Sequence, residues 1–226
     1  MEWWLIWAIA AFSQVLDIYR GDLRALDEYT AIDTALSIIS SNIVDTDPQL
    51  HHALDVLEEL NHDYTYAIHS VNSEMLPILS SKMATTKDPQ IKALMAMNIA
   101  SCLRNNQQTL QHSKSMVVPI LNLIKTEPSY EVKMRLISAL SATLQHPKSL
   151  DVFKLKNLGT VENVCFTNSV PELVGKCASL FQDIASDMDA SKREQWKCKL
   201  SSFLTDHEHQ CSHATIQRIH DCIAVL

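Results

Sequence analysis

The feature that most constrains the fold of this chain is a residue pattern that recurs at a constant interval, from Ile91 to Val132 and again from Val132 to Leu173. Each copy opens with a turn that contains proline, and apolar side chains then follow at the spacing of one helix face. An interval of about 40 residues predicts pairs of helices that stack on their neighbours, since one pair alone cannot bury its apolar side. The other recurring positions are Leu94, Arg135 and Lys176, and Leu103, Leu144 and Ala185.

An earlier copy is visible with nearly the same shift, which places the tripeptide at 77–79 on the one at 119–121. After a polar break, a second apolar helix is expected in two of the units, over 116–124 and 158–164. The sequence therefore predicts an all-α fold, an armadillo/HEAT-like helical repeat solenoid. The alternative is an ordinary helical bundle in which the periodicity arises by chance.

The chain divides into four predicted segments. A signal peptide is expected over residues 1–13 and an acidic N-terminal helical segment over 14–49, with helical character over 25–43. The armadillo-like repeats follow over 50–204, and a C-terminal cap or tail over 205–226. Eleven acidic residues and two arginines lie between Gln14 and Asp63, whereas the rest of the chain carries a small excess of positive charge.

Composition excludes several classes of function. The chain has only three glycines, whereas phosphate loops and dinucleotide-binding turns need glycine where the backbone approaches phosphate. The net charge of −7 disfavours nucleic acid as a partner. None of the common catalytic motifs occurs, so we expect a protein that is not an enzyme and has no cofactor.

The first residues form an apolar run of ten, over 3–12. A membrane-spanning helix needs about 20 such residues, whereas about ten match the apolar core of a secretory signal. Ala11 and Ser13 offer small side chains at a cleavage site. A docked or amphipathic N-terminal helix is the alternative. No other run is long and apolar enough to span a bilayer.

The cysteines and histidines near the C-terminus suggest a metal site only weakly. Cys102 and Cys177 fall within apolar helical patterns and are expected in the core, whereas Cys198, Cys211 and Cys222 could pair in an oxidising compartment. Zinc accepts sulfur and imidazole ligands, but the short paired spacing of structural zinc sites is missing. A solvated histidine-rich tail is therefore favoured. The cluster comprises Cys198, His207, His209, Cys211, His213, His220 and Cys222.

Two polar triplets are candidate binding residues. Arg104, Asn105 and Asn106 follow one apolar helix, and the shift that relates 77–79 to 119–121 aligns them with the triplet at 62–64. Both triplets would then lie on one side of the solenoid, available to a partner. The competing interpretation is that these residues cap a helix and begin a turn. The second triplet is His62, Asp63 and Tyr64.

The segments that carry these triplets, LEELNHDYTYAI at 57–68 and ASCLRNNQQTL at 100–110, resemble the SIL-type nucleotide exchange factors. That family has a leucine-rich helix that runs into HDY and another that runs into CLRNN, usually followed by proline, where this chain has Gln107. The cytosolic armadillo exchange factors share the asparagine pair, but they usually have glutamine where Arg104 stands and lack the HDY triplet. The resemblance covers roughly residues 50–125.

The resemblance implies a co-chaperone of the endoplasmic reticulum lumen. Members bind the nucleotide-binding domain of the heat-shock-70-class chaperone BiP and open its nucleotide cleft, so that ADP leaves, and they assist protein folding and translocation. On this basis the two triplets are expected to contact the chaperone. We expect a monomer with no membrane span. A cytosolic exchange factor or an adaptor scaffold is the alternative.

Overall fold

The computed structural model describes residues 27–104, 106–156, 158–167 and 170–226. Within these ranges the regular secondary structure is helical, with no strand, which confirms the all-α repeat fold. Short 3₁₀ helices occupy Ser113–Met116, Ala185–Asp187 and Glu208–Gln210. The α-helices are α1 (Glu28–Ser40), α2 (Pro48–Leu60), α3 (Tyr64–Asn72), α4 (Met75–Thr85), α5 (Pro89–Leu103), α6 (Gln107–Leu110), α7 (Val117–Thr126), α8 (Tyr130–Leu144), α9 (Pro147–Lys156), α10 (Leu158–Thr167), α11 (Pro171–Ile184), α12 (Ala190–His207) and α13 (His213–Val225).

The constant interval in the sequence marks the starts of four helices, α2, α5, α8 and α11. The residues that precede them are Asp47, Asp88, Ser129 and Val170. The first three accept hydrogen bonds from backbone amides in the first turn, as N-cap residues do. The recurrence therefore reflects a helix start at the same place in each unit.

These four helices, the ladder helices, pack side by side in chain order. Helix α1 covers α2 at one end of the row, and α13 packs on α11 at the other. The outer helices pack behind the row, for example α4 on α5 and α7 on α8. One residue near the start of each ladder helix is almost fully buried, which is worth about 1.5–3 kcal/mol for each side chain. These residues are Leu50, Ile91, Val132 and Leu173.

The C-terminal segment is largely helical and closes one end of the ladder. Helix α12 ends at His207, and α13 packs on α11. Gly175 lies at this contact, where an added Cβ would come within 3.1 Å of Thr215 Cγ2. A glycine in the interior of a helix normally costs about 1 kcal/mol relative to alanine, so the close approach of α13 explains its use here.

The cysteine predictions need correction. Cys165 and Cys177 form a disulfide between α10 and α11, with a Cα–Cα distance of 6.1 Å. Cys177 is buried as predicted, but as half of this bond. The pairing that remained possible among Cys198, Cys211 and Cys222 does not occur: all three are free thiols, with Cys222 buried, Cys211 partly buried and Cys198 exposed. Cys102 is a buried free thiol, as expected.

Two predictions fall where the structure makes no statement. The signal peptide over 1–13 and the start of the acidic segment, up to residue 26, lie outside the described residues. The helix expected over 25–43 is observed over Glu28–Ser40.

Candidate partner-binding site

The two polar triplets lie in neighbouring connections between helices. His62 and Asp63 lie between α2 and α3, and Tyr64 is the first residue of α3. Arg104 is the C-cap of α5, and Asn106 is the N-cap of α6. Asn105 lies outside the described residues. The connections are neighbours because the helices before them, α2 and α5, pack side by side.

Both triplets include a helix cap. The Asp63 carboxylate accepts hydrogen bonds from the amides of Thr65 and Tyr66, at 2.8 and 3.3 Å. The Asn106 side-chain oxygen accepts from the two corresponding amides of α6, both at 3.2 Å. The capping interpretation therefore holds for Asp63 and Asn106, while contact with a partner stays a prediction.

The caps also correct the register between the triplets. Asp63 corresponds to Asn106, rather than to Asn105 as the sequence shift predicted. Because α2 has 13 residues and α5 has 15, the helix starts Pro48 and Pro89 are 41 residues apart, whereas the caps Asp63 and Asn106 are 43 apart. The shift of 42 residues that relates 77–79 to 119–121 therefore misses the second cap by one residue.

A surface cleft of about 330 Å³, the candidate cleft, brings four of the predicted residues together. His62 and Arg104 are exposed, and Tyr64 is 51% exposed, so a partner can reach these three side chains. The lining comprises Asn61, His62, Tyr64, Ala67, Ser101, Cys102, Arg104 and Asn106.

Asn106 has a different role from its exposed neighbours. Only 3% of its surface is exposed. Its side-chain nitrogen donates to the Tyr64 carbonyl at 3.3 Å, while its oxygen caps α6. Asn106 therefore ties the two walls of the candidate cleft to each other.

Glu58 and Ser101 are site residues that the sequence reasoning did not select. The Ser101 hydroxyl donates to Glu58 Oε1 at 3.1 Å, which joins α5 to α2. His62 Nε2 lies 2.9 Å from the same oxygen, a contact that orients the imidazole at the edge of the cleft. Both residues fall within the two segments that carry the family resemblance, so that resemblance was the available signal.

Below the candidate cleft, buried asparagines join α2 to α5. Asn98 is fully buried and donates to the Leu54 carbonyl at 3.0 Å. Asn61 in turn donates to the Asn98 side-chain oxygen at 3.2 Å. Hydrogen bonds are directional, so this network fixes how the two helices slide relative to each other.

A second cleft, of about 320 Å³, continues from Arg104 onto α8 and α11. Sequence reasoning missed it, although the repeat interval had already paired a residue of α8 with Lys176. Its lining comprises Arg104, Ile137, Ser138, Ser141, Gln145, Lys176, Ser179, Leu180 and Asp183.

The described residues hold no group of three or more His, Cys, Asp or Glu side chains arranged for a metal ion. Burial raises the pKa of Cys102 and of Cys222 to about 12, so both thiols stay protonated at neutral pH. Among the described helices, none has the length and apolarity to cross a bilayer. The polar side chains that line the two clefts can form hydrogen bonds, and the cations Arg104 and Lys176 can form ion pairs.

Comparison with known proteins agrees with this description. Curated protein sequences gave no match. The family model described as nucleotide exchange factor SIL1 matches residues 27–223, well beyond the range over which the resemblance was first seen. That match contains all four ladder helices and most of α13. The chain therefore belongs to the SIL1 nucleotide exchange factor family.

Proposed function

We propose that this chain is a co-chaperone that binds the nucleotide-binding domain of BiP, the heat-shock-70-class chaperone of the endoplasmic reticulum lumen, and promotes release of ADP. The family match over residues 27–223 carries the proposal. Through this exchange the protein would assist protein folding and translocation.

The mechanism requires differential binding and no catalytic residue. An exchange factor that binds the open nucleotide cleft more tightly than the closed one shifts the chaperone towards the open state. A shift from 1:99 to 99:1 needs about 10⁴-fold tighter binding to the open form. A row of stacked helices supplies a long rigid surface on which such a preference can be built.

Two features support a lumenal location. The disulfide between Cys165 and Cys177 is typical of proteins from oxidising compartments. The apolar run over 3–12 has the length of a secretory signal. N-terminal sequencing of the protein purified from cells tests this location, since an intact Met1 on a cytosolic protein would favour the cytosolic exchange factor or adaptor.

The proposed contact residues are His62, Asp63, Tyr64, Arg104, Asn105 and Asn106. Within this set the exposed side chains suit different contacts: Arg104 can form a forked, charge-assisted pair with a carboxylate. Tyr64 offers the rigid amphipathic surface that interface hot spots use. Asp63 and Asn106 would act mainly by holding the connections in place, because both are occupied as caps.

Release of labelled ADP from purified BiP, with and without the protein, tests the function directly. Tyr64→Ala and Arg104→Ala should each weaken binding by about 2 kcal/mol, near thirtyfold, with little change in melting temperature. Tyr130→Ala is the matched control, since Tyr130 is 42% exposed and begins α8, outside the candidate cleft. Failure of the wild-type protein to accelerate release would refute the proposed function. Wild-type binding by both folded cleft variants would refute only the assignment of the site.

A further inference from the structure

Four cations gather around Lys176, which shares the second cleft with Arg104 and is repelled by Arg104, Arg135 and Arg218. Arg104 is the C-cap of α5, Arg135 lies on α8, Lys176 on α11 and Arg218 on α13. We call these residues the cationic stripe. Arg135 and Lys176 occupy the same position in two adjacent ladder helices, one repeat interval apart.

Few carboxylates of the protein offset the positive charge of the stripe. Among the described residues, none of the four forms an ion pair with a carboxylate. Asp183 is the one carboxylate that lines the second cleft, and it already accepts a hydrogen bond from the Ser141 hydroxyl. The three arginines are exposed and Lys176 is half-buried, so all four can meet a partner.

The positive charges of the stripe also repel one another. Burial, followed by repulsion from Arg218, Arg104 and Arg135, lowers the pKa of Lys176, and Asp183 offsets this only in part. A lysine whose pKa is lowered by folding binds its proton less well in the folded protein than in the unfolded chain. At neutral pH its charge therefore opposes folding. The stability of the free protein does not explain why these charges are gathered here.

We propose that the cationic stripe binds an acidic surface on the nucleotide-binding domain of the partner chaperone, as a second contact area beyond the candidate cleft. This inference rests on the proposed function. Arginines would pair with carboxylates through their planar forks, and the half-buried Lys176 would gain a further negative charge beside Asp183, which offsets the repulsion only in part.

The second cleft suits a folded acidic protein surface. Its polar lining includes three serine hydroxyls that already donate within the protein: Ser138 to the Met134 carbonyl, Ser141 to the Asp183 carboxylate and Ser179 to the Gly175 carbonyl. Their oxygens can still accept hydrogen bonds, and backbone amides of a folded protein would supply such donors between the cations. A nucleic acid or an anionic membrane would present negative charge over a wide area to the whole chain. With a net charge of −7, the chain would repel such a polyanion outside the stripe.

The test uses variants that leave the candidate cleft intact. Arg135→Gln combined with Lys176→Met removes two charges while keeping the alkyl stems. Lys148→Glu reverses an exposed charge in the first turn of α9, an outer helix, and is the control. Affinity for the ADP-bound nucleotide-binding domain is measured for each protein at low and at high salt.

The double variant should bind about tenfold or more weakly at low salt, and the dependence of its affinity on salt should be shallower than that of the wild type. Its melting temperature should stay equal or rise, because a repulsive charge has been removed. If Arg135 and Lys176 had a purely structural role, the double variant would lose both affinity and melting temperature. The Lys148→Glu control should keep the wild-type affinity.

The outcomes separate the two proposals. Wild-type protein that neither binds the chaperone nor releases ADP would refute the proposed function. Wild-type protein that does both, together with a folded double variant of unchanged affinity and salt dependence, would refute the stripe alone. Tighter binding of the wild type to a single-stranded RNA oligonucleotide or to anionic vesicles than to the nucleotide-binding domain would also refute it.

Discussion

The two ends of the ladder are joined by different kinds of interaction. Between α2 and α5, the buried contact is polar: Asn98 donates to the Leu54 carbonyl, and Asn61 donates to Asn98. Where α11 packs on α12 and α10, the contact is apolar and covalent. The ring of Phe181 stacks on Trp196 with 4.2 Å between centroids, and the disulfide ties α10 to α11.

This difference agrees with the proposed roles of the two regions. The buried asparagine contact between α2 and α5, the polar junction, lies below the candidate cleft, where side chains from two connections would need a fixed relative position to form one contact area. Directional hydrogen bonds set such a position, whereas apolar burial sets little more than proximity. The region around α11 buries large side chains and supplies stability to the end of the row.

The largest effect is expected from Trp196→Ala. Trp196 is fully buried against Phe181, and its indole nitrogen donates to Glu162 at 2.6 Å. Loss of the side chain should reduce the free energy of unfolding by about 3–5 kcal/mol, measured by urea denaturation. Trp196→Phe keeps most of the volume and should cost clearly less. Equal losses for both variants would mean that the hydrogen bond, and not apolar burial, holds this region.

Removal of the disulfide should have the next largest effect. The cysteines are 12 residues apart, and closing a loop of similar size is worth about 3 kcal/mol in the unfolded chain. Cys165→Ala with Cys177→Ala should therefore lower the melting temperature, and a reducing agent should lower that of the wild type but not of the variant. Tyr64→Ala should reduce BiP affinity by the same factor in the wild-type protein and in the double cysteine variant. A change would show that the two ends of the ladder are coupled.

Asn98→Ala should reduce the free energy of unfolding by about 2–3 kcal/mol, because it leaves the Leu54 carbonyl and the Asn61 amide of the polar junction buried with fewer partners. The control is Asn122→Ala, which removes an exposed asparagine from α7 and should change stability by less than about 0.5 kcal/mol. Urea denaturation measures both. Equal effects would contradict the assigned role of the network.

The smallest effects are expected at two helical glycines, with opposite signs. Gly175→Ala brings a methyl group against Thr215, and we expect a net loss of about 1 kcal/mol, since overpacking exceeds the gain in helix propensity. Gly159→Ala meets no atom within 4 Å and should stabilise by about 0.5–1 kcal/mol. Thermal melting measures both. A stabilising Gly175→Ala would mean that α13 is not held close to α11.

Much of the fold could be predicted from the sequence, because it is encoded locally. Asp88 followed by Pro89 specifies a helix start whatever lies around it, and the apolar spacing after it specifies a buried face. Because each unit repeats that pattern, the ladder helices followed from the interval alone. The exact register at the helix ends did not, since it depends on the greater length of α5 relative to α2.

The site was only partly predictable. The resemblance selected the triplets, but it did not separate exposed Tyr64 from buried Asn106, because burial depends on the packing of neighbouring connections. The disulfide was missed for the same reason: Cys165 and Cys177 belong to different helices, and only their packing brings them together. The sequence shows that Arg135 and Lys176 are one repeat interval apart. That they lie close together follows only from the packing of α8 against α11.

The hydrogen bond from Asn106 to the Tyr64 carbonyl has a consequence for the thermodynamics of binding. Fixing the backbone of one flexible residue on a connection between helices costs about 1–2 kcal/mol in conformational entropy. Here the backbone at Tyr64 is held by Asn106, and the turns on both sides are capped. The backbone of the candidate cleft is therefore ordered before any partner arrives, and under the proposed function less of the contact energy would be spent on ordering it.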